Sequence, residues 1–241
     1  MSQAEAEELS FHHRRIRERG INPWVYWPTR AFLQPFLMLY FRMRRTGRAH
    51  VPRGPVLLAA SHRSFLDPFA IGCCVPRPIY FMAKRELFDR RVAGWFLNAL
   101  GAFPVRRGES DEESMATARI LLERGEGVLI FPEGARHRSG PLHPPRRGVG
   151  RLALQTGAPI VPVAIKGTER VRRGWLIRPV RVDMRFGSPL TYPRVEDPSP
   201  NLAKEVTARI WPCVELQWAW LGGPMPEFRA GHEEVAERAA A

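Results

Sequence analysis

Four short apolar runs limit how this chain can fold: Val56 to Ala60, Ile79 to Met82, Gly127 to Phe131 and Ile160 to Ile165. None alternates polar with apolar residues, as a strand with one wet face would, so each reads as a strand buried on both sides. Between them apolar residues recur at three and four, at Leu87, Phe88, Val92, Trp95, Phe96, Ala99 and Leu100, and again at Met115, Ala118, Leu121 and Leu122. That is the spacing of helices with one apolar face. Gly101 and Gly125 end those helices, and Ser110-Asp111-Glu112-Glu113 opens the second as a capping box. Short helices over Pro68 to Cys74 and Gly148 to Thr156 and a short strand at Phe103 to Val105 complete the alternation. The pattern predicts an α/β fold, a mostly parallel central sheet covered by helices on both faces. Sheets of this kind hold their sites at C-terminal strand ends.

After Gly167 the pattern changes. Arg181, Asp183 and Arg185 alternate with Val182, Met184 and Phe186, which predicts an edge or antiparallel strand over Val180 to Phe186. Asn201 to Leu221 reads as a helix that Pro212 should kink. A chain of 241 residues has room for one sizeable domain. The expected organisation is an N-terminal segment at 1–48, a core domain at 49–222 and a C-terminal tail at 223–241.

Lys and Arg number 37 against 24 Asp and Glu, a formal charge of +13. That balance suits an anionic partner, whether nucleic acid, a membrane surface or a phosphorylated substrate; an arginine-rich solvated surface has the same composition. Cys73, Cys74 and Cys213 fit neither metal-ligand spacing nor a disulfide framework, which points to a reducing compartment. The N-terminal residues lack the apolar core of a signal peptide. Trp24, Tyr26 and Trp27 lead into an apolar segment from Ala31 to Phe41, and Arg42, Arg44, Arg45 and Arg48 follow it. A bilayer-spanning helix needs about 20 apolar residues, so this segment does not span. Two readings fit: an amphipathic helix in the membrane interface with its arginines at lipid phosphate, and a helix packed on the domain's own core.

Ser61-His62-Arg63-Ser64-Phe65-Leu66-Asp67 follows the first apolar run. His62 and Asp67 would be about 140° apart on a regular helix, so they meet only if the chain turns between them. Ser64 to Asp67 has capping-box spacing and Asp67-Pro68 suits a first helical turn, which leaves His62 in the loop. There the carboxylate can fix the imidazole tautomer and leave the other ring nitrogen as a base. A helix-capping Asp beside an unrelated loop His fits the same spacing. Phe131-Pro132-Glu133-Gly134-Ala135-Arg136 repeats the design of an apolar strand with a polar tip.

In order and spacing, His62-x-x-x-x-Asp67, Phe103-Pro104-Val105-Arg106-Arg107-Gly108, Phe131-Pro132-Glu133-Gly134 and Val161-Pro162-Val163-Ala164 resemble the four motifs of the glycerolipid acyltransferase family, typified by 1-acylglycerol-3-phosphate acyltransferases. Ala83 to Phe88 resembles another stretch common there. The resemblance implies transfer of a fatty acyl group from a thioester, on coenzyme A or acyl carrier protein, to a hydroxyl of lysophosphatidic acid, giving phosphatidic acid. It also implies a peripheral or monotopic protein at the cytoplasmic face of the cell membrane. His62, oriented by Asp67, would take the hydroxyl proton. Arg107 and Arg136 would hold the acceptor's phosphate, Glu133 beside Gly134 would accept from its glycerol hydroxyls, and Lys84 would add charge to the same pocket. No metal or cofactor is implied: acyl-CoA or acyl carrier protein enters as co-substrate, membrane lipids are the other partners, and nucleic acid is not one.

Ser61 stands where the family often has Asn, Arg106 where an acidic residue is frequent, and Ala135-Arg136-His137 replaces the more usual Thr-Arg-Ser. These departures fall in segments expected to touch the acceptor. Glycerol 3-phosphate, another lysophospholipid, a lyso-aminolipid and a glycolipid therefore stay open as acceptors. A basic nucleic-acid-binding protein would explain the charge, but most aromatic residues lie in apolar patterns and form no recognisable binding module. A metal-dependent hydrolase is disfavoured because the histidines show no two-ligand helical spacing.

Overall fold

A computed structural model describes residues 3–106 and 111–224. Arg107 and the expected tail beyond residue 224 lie outside the described residues. Helices α1 (Gln3–Arg19) and α2 (Pro23–Tyr40) come first, then β1 (Arg44–Thr46), β2 (Val56–Ala60), α3 (Asp67–Cys74) and β3 (Ile79–Lys84). They are followed by α4 (Arg91–Ala99), β4 (Ala102–Val105), α5 (Glu112–Glu123), β5 (Gly127–Ile130), α6 (Gly148–Thr156) and β6 (Ile160–Lys166). A hairpin of β7 (Arg172–Arg173) and β8 (Leu176–Ile177), then β9 (Asp183–Phe186) and α7 (Pro200–Trp220), complete the described chain.

All strands except the hairpin join one sheet in the order β1-β9-β6-β2-β5-β3-β4. Strands β2 to β6 are mutually parallel and β9 runs antiparallel to β6, so the sheet is mostly parallel as predicted. Parallel strands emerge on one edge. At that edge Ala59 of β2 pairs with Ile130 of β5 and Ala60 with Val163 of β6, so the loops after β2 and β5 leave the sheet side by side.

Side chains alternate along each strand. Val56, Leu58 and Ala60 of β2 enter one core layer, closed by α2 and α3 through Leu37, Ala70, Ile71 and Cys74. Leu57 and Ala59 enter the other, closed by α1, α5, α6 and α7 through Ile16, Leu121, Leu152 and Ile210. The N-terminal stretch 1–48 thus contributes Ile16 to the core and β1 to the sheet.

Several local expectations change. The strand predicted over Val180 to Phe186 is antiparallel but is not the edge: Arg44 to Thr46 lie outside it as β1, with the Arg44 N–H donating to the Val182 carbonyl at 2.9 Å. Three polar residues carry no periodic signal, so their arginines read as a helix end. Helix α4 starts at Arg91, because Leu87 belongs to a 3₁₀ turn, and its Val92, Trp95 and Phe96 are exposed. The cap of α5 is Asp111, whose carboxylate accepts from the Ser114 N–H at 3.1 Å. The helix expected over Asn201 to Leu221 is present as α7, with Pro212 inside it.

Helix α2 carries both faces that its sequence allows. Tyr26 and Leu37 are buried, and Arg30 donates to the carbonyls of Gly72 and Val75 at the end of α3. The exposed stripe runs through Pro23, Trp24, Trp27, Pro28, Ala31, Phe32, Pro35, Phe36 and Leu39 and contains no charge. Trp24 is 89% exposed and Leu39 79%. Among the described residues no helix is long and apolar enough to cross a membrane.

Candidate active site

The histidine loop grows out of the middle strand. Ser61 extends the pairing of β2 by one residue: its N–H donates to the Val163 carbonyl at 3.1 Å and its hydroxyl accepts from the Ile165 N–H at 3.2 Å. The Ser61 side chain is therefore engaged with β6 and fully buried. The chain then turns, and Asp67 at the start of α3 reaches back over it. Its Oδ2 accepts from His62 Nδ1 at 2.9 Å, from the Arg63 N–H at 2.6 Å and from the Ser64 N–H at 2.7 Å. The Ser64 bond is one half of the expected capping box; the Ser64 hydroxyl accepts from the Leu66 N–H instead of from Asp67. Asp67 is fully buried and His62 nearly so. With Nδ1–H donating to the carboxylate, Nε2 is left as the basic ring nitrogen. The imidazole stacks on Phe131, with centroids 3.9 Å apart and planes 20° from parallel.

The neighbouring loop clamps this one. Glu133 is buried, and its two carboxylate oxygens accept from the His62 N–H at 2.8 Å and the His143 N–H at 3.1 Å. The His137 N–H donates to the His62 carbonyl at 3.1 Å, so the histidine backbone is held on both sides. Arg63 is also buried, donating to the carbonyls of His137 at 2.7 Å, Ser139 at 3.2 Å and Gly140 at 2.8 Å. Its guanidinium lies 4.4 Å over the Trp218 ring of α7. Burial pulls the Arg63 pKa below its ordinary value, and the nearby Glu133, Glu169 and Asp67 oppose that shift.

His62 and Phe131 border a cavity of about 340 Å³. Met82, Val105, Met115 and Ile130 give it apolar walls, and Arg106, Arg146, Arg147 and Arg151 give it positive charge. Arg106 faces Asp111 at 3.8 Å and Arg151 pairs with Glu112 at 2.7 Å. Arg146 and Arg147 are exposed and, among the described residues, have no carboxylate partner. They stand at the N-terminal end of α6, where the helix dipole disfavours cations. An anion between them would relieve that opposition. Gly134 makes room for this arrangement: it has φ +71°, and a Cβ there would lie 2.5 Å from Arg146 Nε.

The structure brings His62 and Asp67 together and puts Gly134 in the cavity wall. Three residues expected around the acceptor are outside the lining of this cavity. Glu133 is turned onto backbone amides, because its strand end emerges beside the histidine loop rather than facing the cavity. Lys84 is exposed and bonds Glu86 at 2.9 Å. Arg136 is exposed and outside the cavity lining. Arg107 lies outside the described residues. Arg63, Arg146 and Arg147 were not singled out by sequence. The signal for the last two is Pro144-Pro145-Arg146-Arg147-Gly148, a basic pair entering a helix at its unfavourable end. Among the described residues no three His, Cys, Asp or Glu side chains come together as a metal-binding group.

The Acyltransferase family model matches residues 42–166, more than half of the chain and including both clamped loops. The chain belongs to the acyltransferase family. Among its relatives, the 1-acyl-sn-glycerol-3-phosphate acyltransferase of Bacillus subtilis is 34% identical over 135 residues, covering 56% of this acyltransferase and 66% of that one. The 1-acyl-sn-glycerol-3-phosphate acyltransferase of Streptococcus pneumoniae is 32% identical over 136 residues, 56% of this chain and 49% of that one. The lyso-ornithine lipid O-acyltransferase of Pseudomonas aeruginosa is 36% identical over 132 residues, 53% of this chain and 48% of that one. The matched stretch thus spans 48% to 66% of the length of these curated relatives. The crystal structure of the 1-acyl-sn-glycerophosphate (LPA) acyltransferase from Thermotoga maritima superposes with a TM-score of 0.57, covering 88% of this chain and 94% of that one at 20% identity. What the two share is the fold.

Proposed function

We propose that this acyltransferase moves a fatty acyl group from a thioester, on coenzyme A or acyl carrier protein, to the free hydroxyl of lysophosphatidic acid, giving phosphatidic acid. The observation that carries the reading is the buried His62–Asp67 pair at the end of a cationic, apolar-walled cavity. The acceptor hydroxyl gives its proton to His62 Nε2 as its oxygen attacks the thioester carbon. The tetrahedral intermediate then collapses, the C–S bond breaks, and the thiolate takes the proton back from the imidazolium that Asp67 stabilises. Glu133 serves here as a positioning residue, holding the His62 amide. Arg146 and Arg147 take the acceptor phosphate as guanidinium forks, and Arg107 adds to them.

The lipid substrate resides in a membrane, and the uncharged outward stripe of α2 suits a peripheral helix lying in the interface at the cytoplasmic face. A second acceptor, a lyso-aminolipid, is favoured by the 36% identity to the Pseudomonas aeruginosa protein. The test is thiol release from an acyl thioester with a panel of lysophosphatidic acid, glycerol 3-phosphate, a lyso-aminolipid and a glycolipid. The proposal expects the highest kcat/KM with lysophosphatidic acid, and a rise in its KM of about 10-fold or more in Arg146→Ala. A preference for the lyso-aminolipid with no effect of Arg146→Ala selects the second reading.

A further inference from the structure

The β7–β8 hairpin lies outside the main sheet, and none of its residues lines the cavity beside His62. Gly174 turns it at φ +63°, and Trp175 at the turn is 90% exposed. Leu176 and Ile177 are about half exposed beside it. From Arg170 to Arg181 the chain holds Arg170, Arg172, Arg173, Arg178 and Arg181 and no acidic residue. Arg170 faces Glu169 and Arg181 pairs with Asp183. Arg172, Arg173 and Arg178 are exposed with no carboxylate partner among the described residues.

We infer that this hairpin is a docking element for an anionic lipid surface. A two-stranded hairpin outside a sheet is marginal in water, yet this one is tied to α2: the Tyr40 hydroxyl donates to the Ile177 carbonyl at 2.9 Å, and the Arg178 N–H extends the hairpin's own pairing to the Val171 carbonyl at 2.8 Å. Tyr40 is the last residue of α2, and its ring stacks on Phe36 of the outward stripe at 5.1 Å. The hairpin therefore continues that uncharged stripe and adds what the stripe lacks, a set of unpaired cations around an exposed indole. Indoles settle at headgroup level and arginines meet anionic headgroups. A discrete acidic protein would also meet the charge, but it would leave the adjoining apolar stripe uncovered, so the lipid surface is the better fit.

The inference rests on the reading of the chain as a lipid-modifying acyltransferase only for the source of the surface. Its test is co-sedimentation of the full chain with phosphatidylcholine vesicles, with and without phosphatidylglycerol. Each arginine near the surface contributes about fivefold, so Arg172→Gln/Arg173→Gln/Arg178→Gln should weaken binding to phosphatidylglycerol vesicles about 10²-fold. Trp175→Ser should weaken binding to both vesicle types by about tenfold. Both variants should keep the parent's melting temperature and its thiol release with a short-chain, monomeric acceptor. Parent-like vesicle binding by both variants, or a parent that binds an acidic carrier protein but no vesicle, overturns the inference. Loss of thiol release in the parent would strike the proposed reaction and leave the vesicle result to be judged by itself.

Discussion

Asp67→Asn isolates what the buried carboxylate charge does. Among the described residues, three hydrogen bonds to Asp67 converge on Oδ2 and the buried Oδ1 has no partner. An Asn whose oxygen occupies the Oδ2 position keeps all three bonds, so the imidazole keeps its tautomer and its place. Only the charge is lost, and the amide nitrogen sits in the unpartnered position. At 2.9 Å a carboxylate attracts an imidazolium by about 6 kcal/mol at an effective dielectric near 20. That ceiling corresponds to about 10⁴ in rate, and general-base catalysis contributes about 10² to 10⁴. We expect kcat to fall within that range while KM for thioester and acceptor changes by less than about threefold, since no binding group moves. The unsatisfied amide costs about 1–3 kcal/mol of stability, visible as a lower melting temperature of a still cooperative fold. Steady-state thiol release beside a thermal melt measures both. A folded Asn variant within tenfold of the parent's kcat, or a loss confined to KM, refutes the reasoning.

Other expectations follow from single contacts. Gly134→Ala places a Cβ 2.5 Å from Arg146 Nε at φ +71°; left-handed backbone costs a residue with Cβ about 1–2 kcal/mol, and displacement of the guanidinium should raise the acceptor KM more than the thioester KM. Glu133→Gln keeps one acceptor oxygen for two amides, those of His62 and His143, so kcat should fall about tenfold or more with both KM values nearly unchanged. His13 is pushed down from 6.5 to about 4, by burial first and by Arg17 next, with its Nδ1 on the Thr117 hydroxyl at 2.9 Å. Because the folded value lies below the unfolded one, its stabilisation is complete above pH 6.5 and is lost as pH falls towards 4, on the order of 3 kcal/mol in all. Urea melts of the parent and His13→Gln over that range should converge at the acid end; a constant difference contradicts it.

The parts legible in the sequence are those written in local pattern. Unbroken apolar runs gave β2, β3, β5 and β6, because a strand buried on both faces needs no alternation. The His62–Asp67 pair was legible because both partners fall within one turn of chain. Contacts between distant segments were not: Glu133 faces the amide of His62, and Arg63 faces carbonyls in the loop at His137 to Gly140, pairings that only the register of β2 against β5 creates. Strand β1 was hidden because it has no apolar residue and is recruited by β9. Helix α2 was legible as apolar, but which side faces out depends on Arg30 finding the last carbonyls of α3.

The most direct measurement is the formation of phosphatidic acid from lysophosphatidic acid and an acyl thioester by the purified chain and by His62→Ala, with thiol and product lipid counted together. The account predicts thiol and phosphatidic acid in equal amounts from the parent, and a loss of at least about 10²-fold in a folded His62→Ala. Thiol release indifferent to the acceptor hydroxyl, or a folded His62→Ala at the parent's rate, contradicts it.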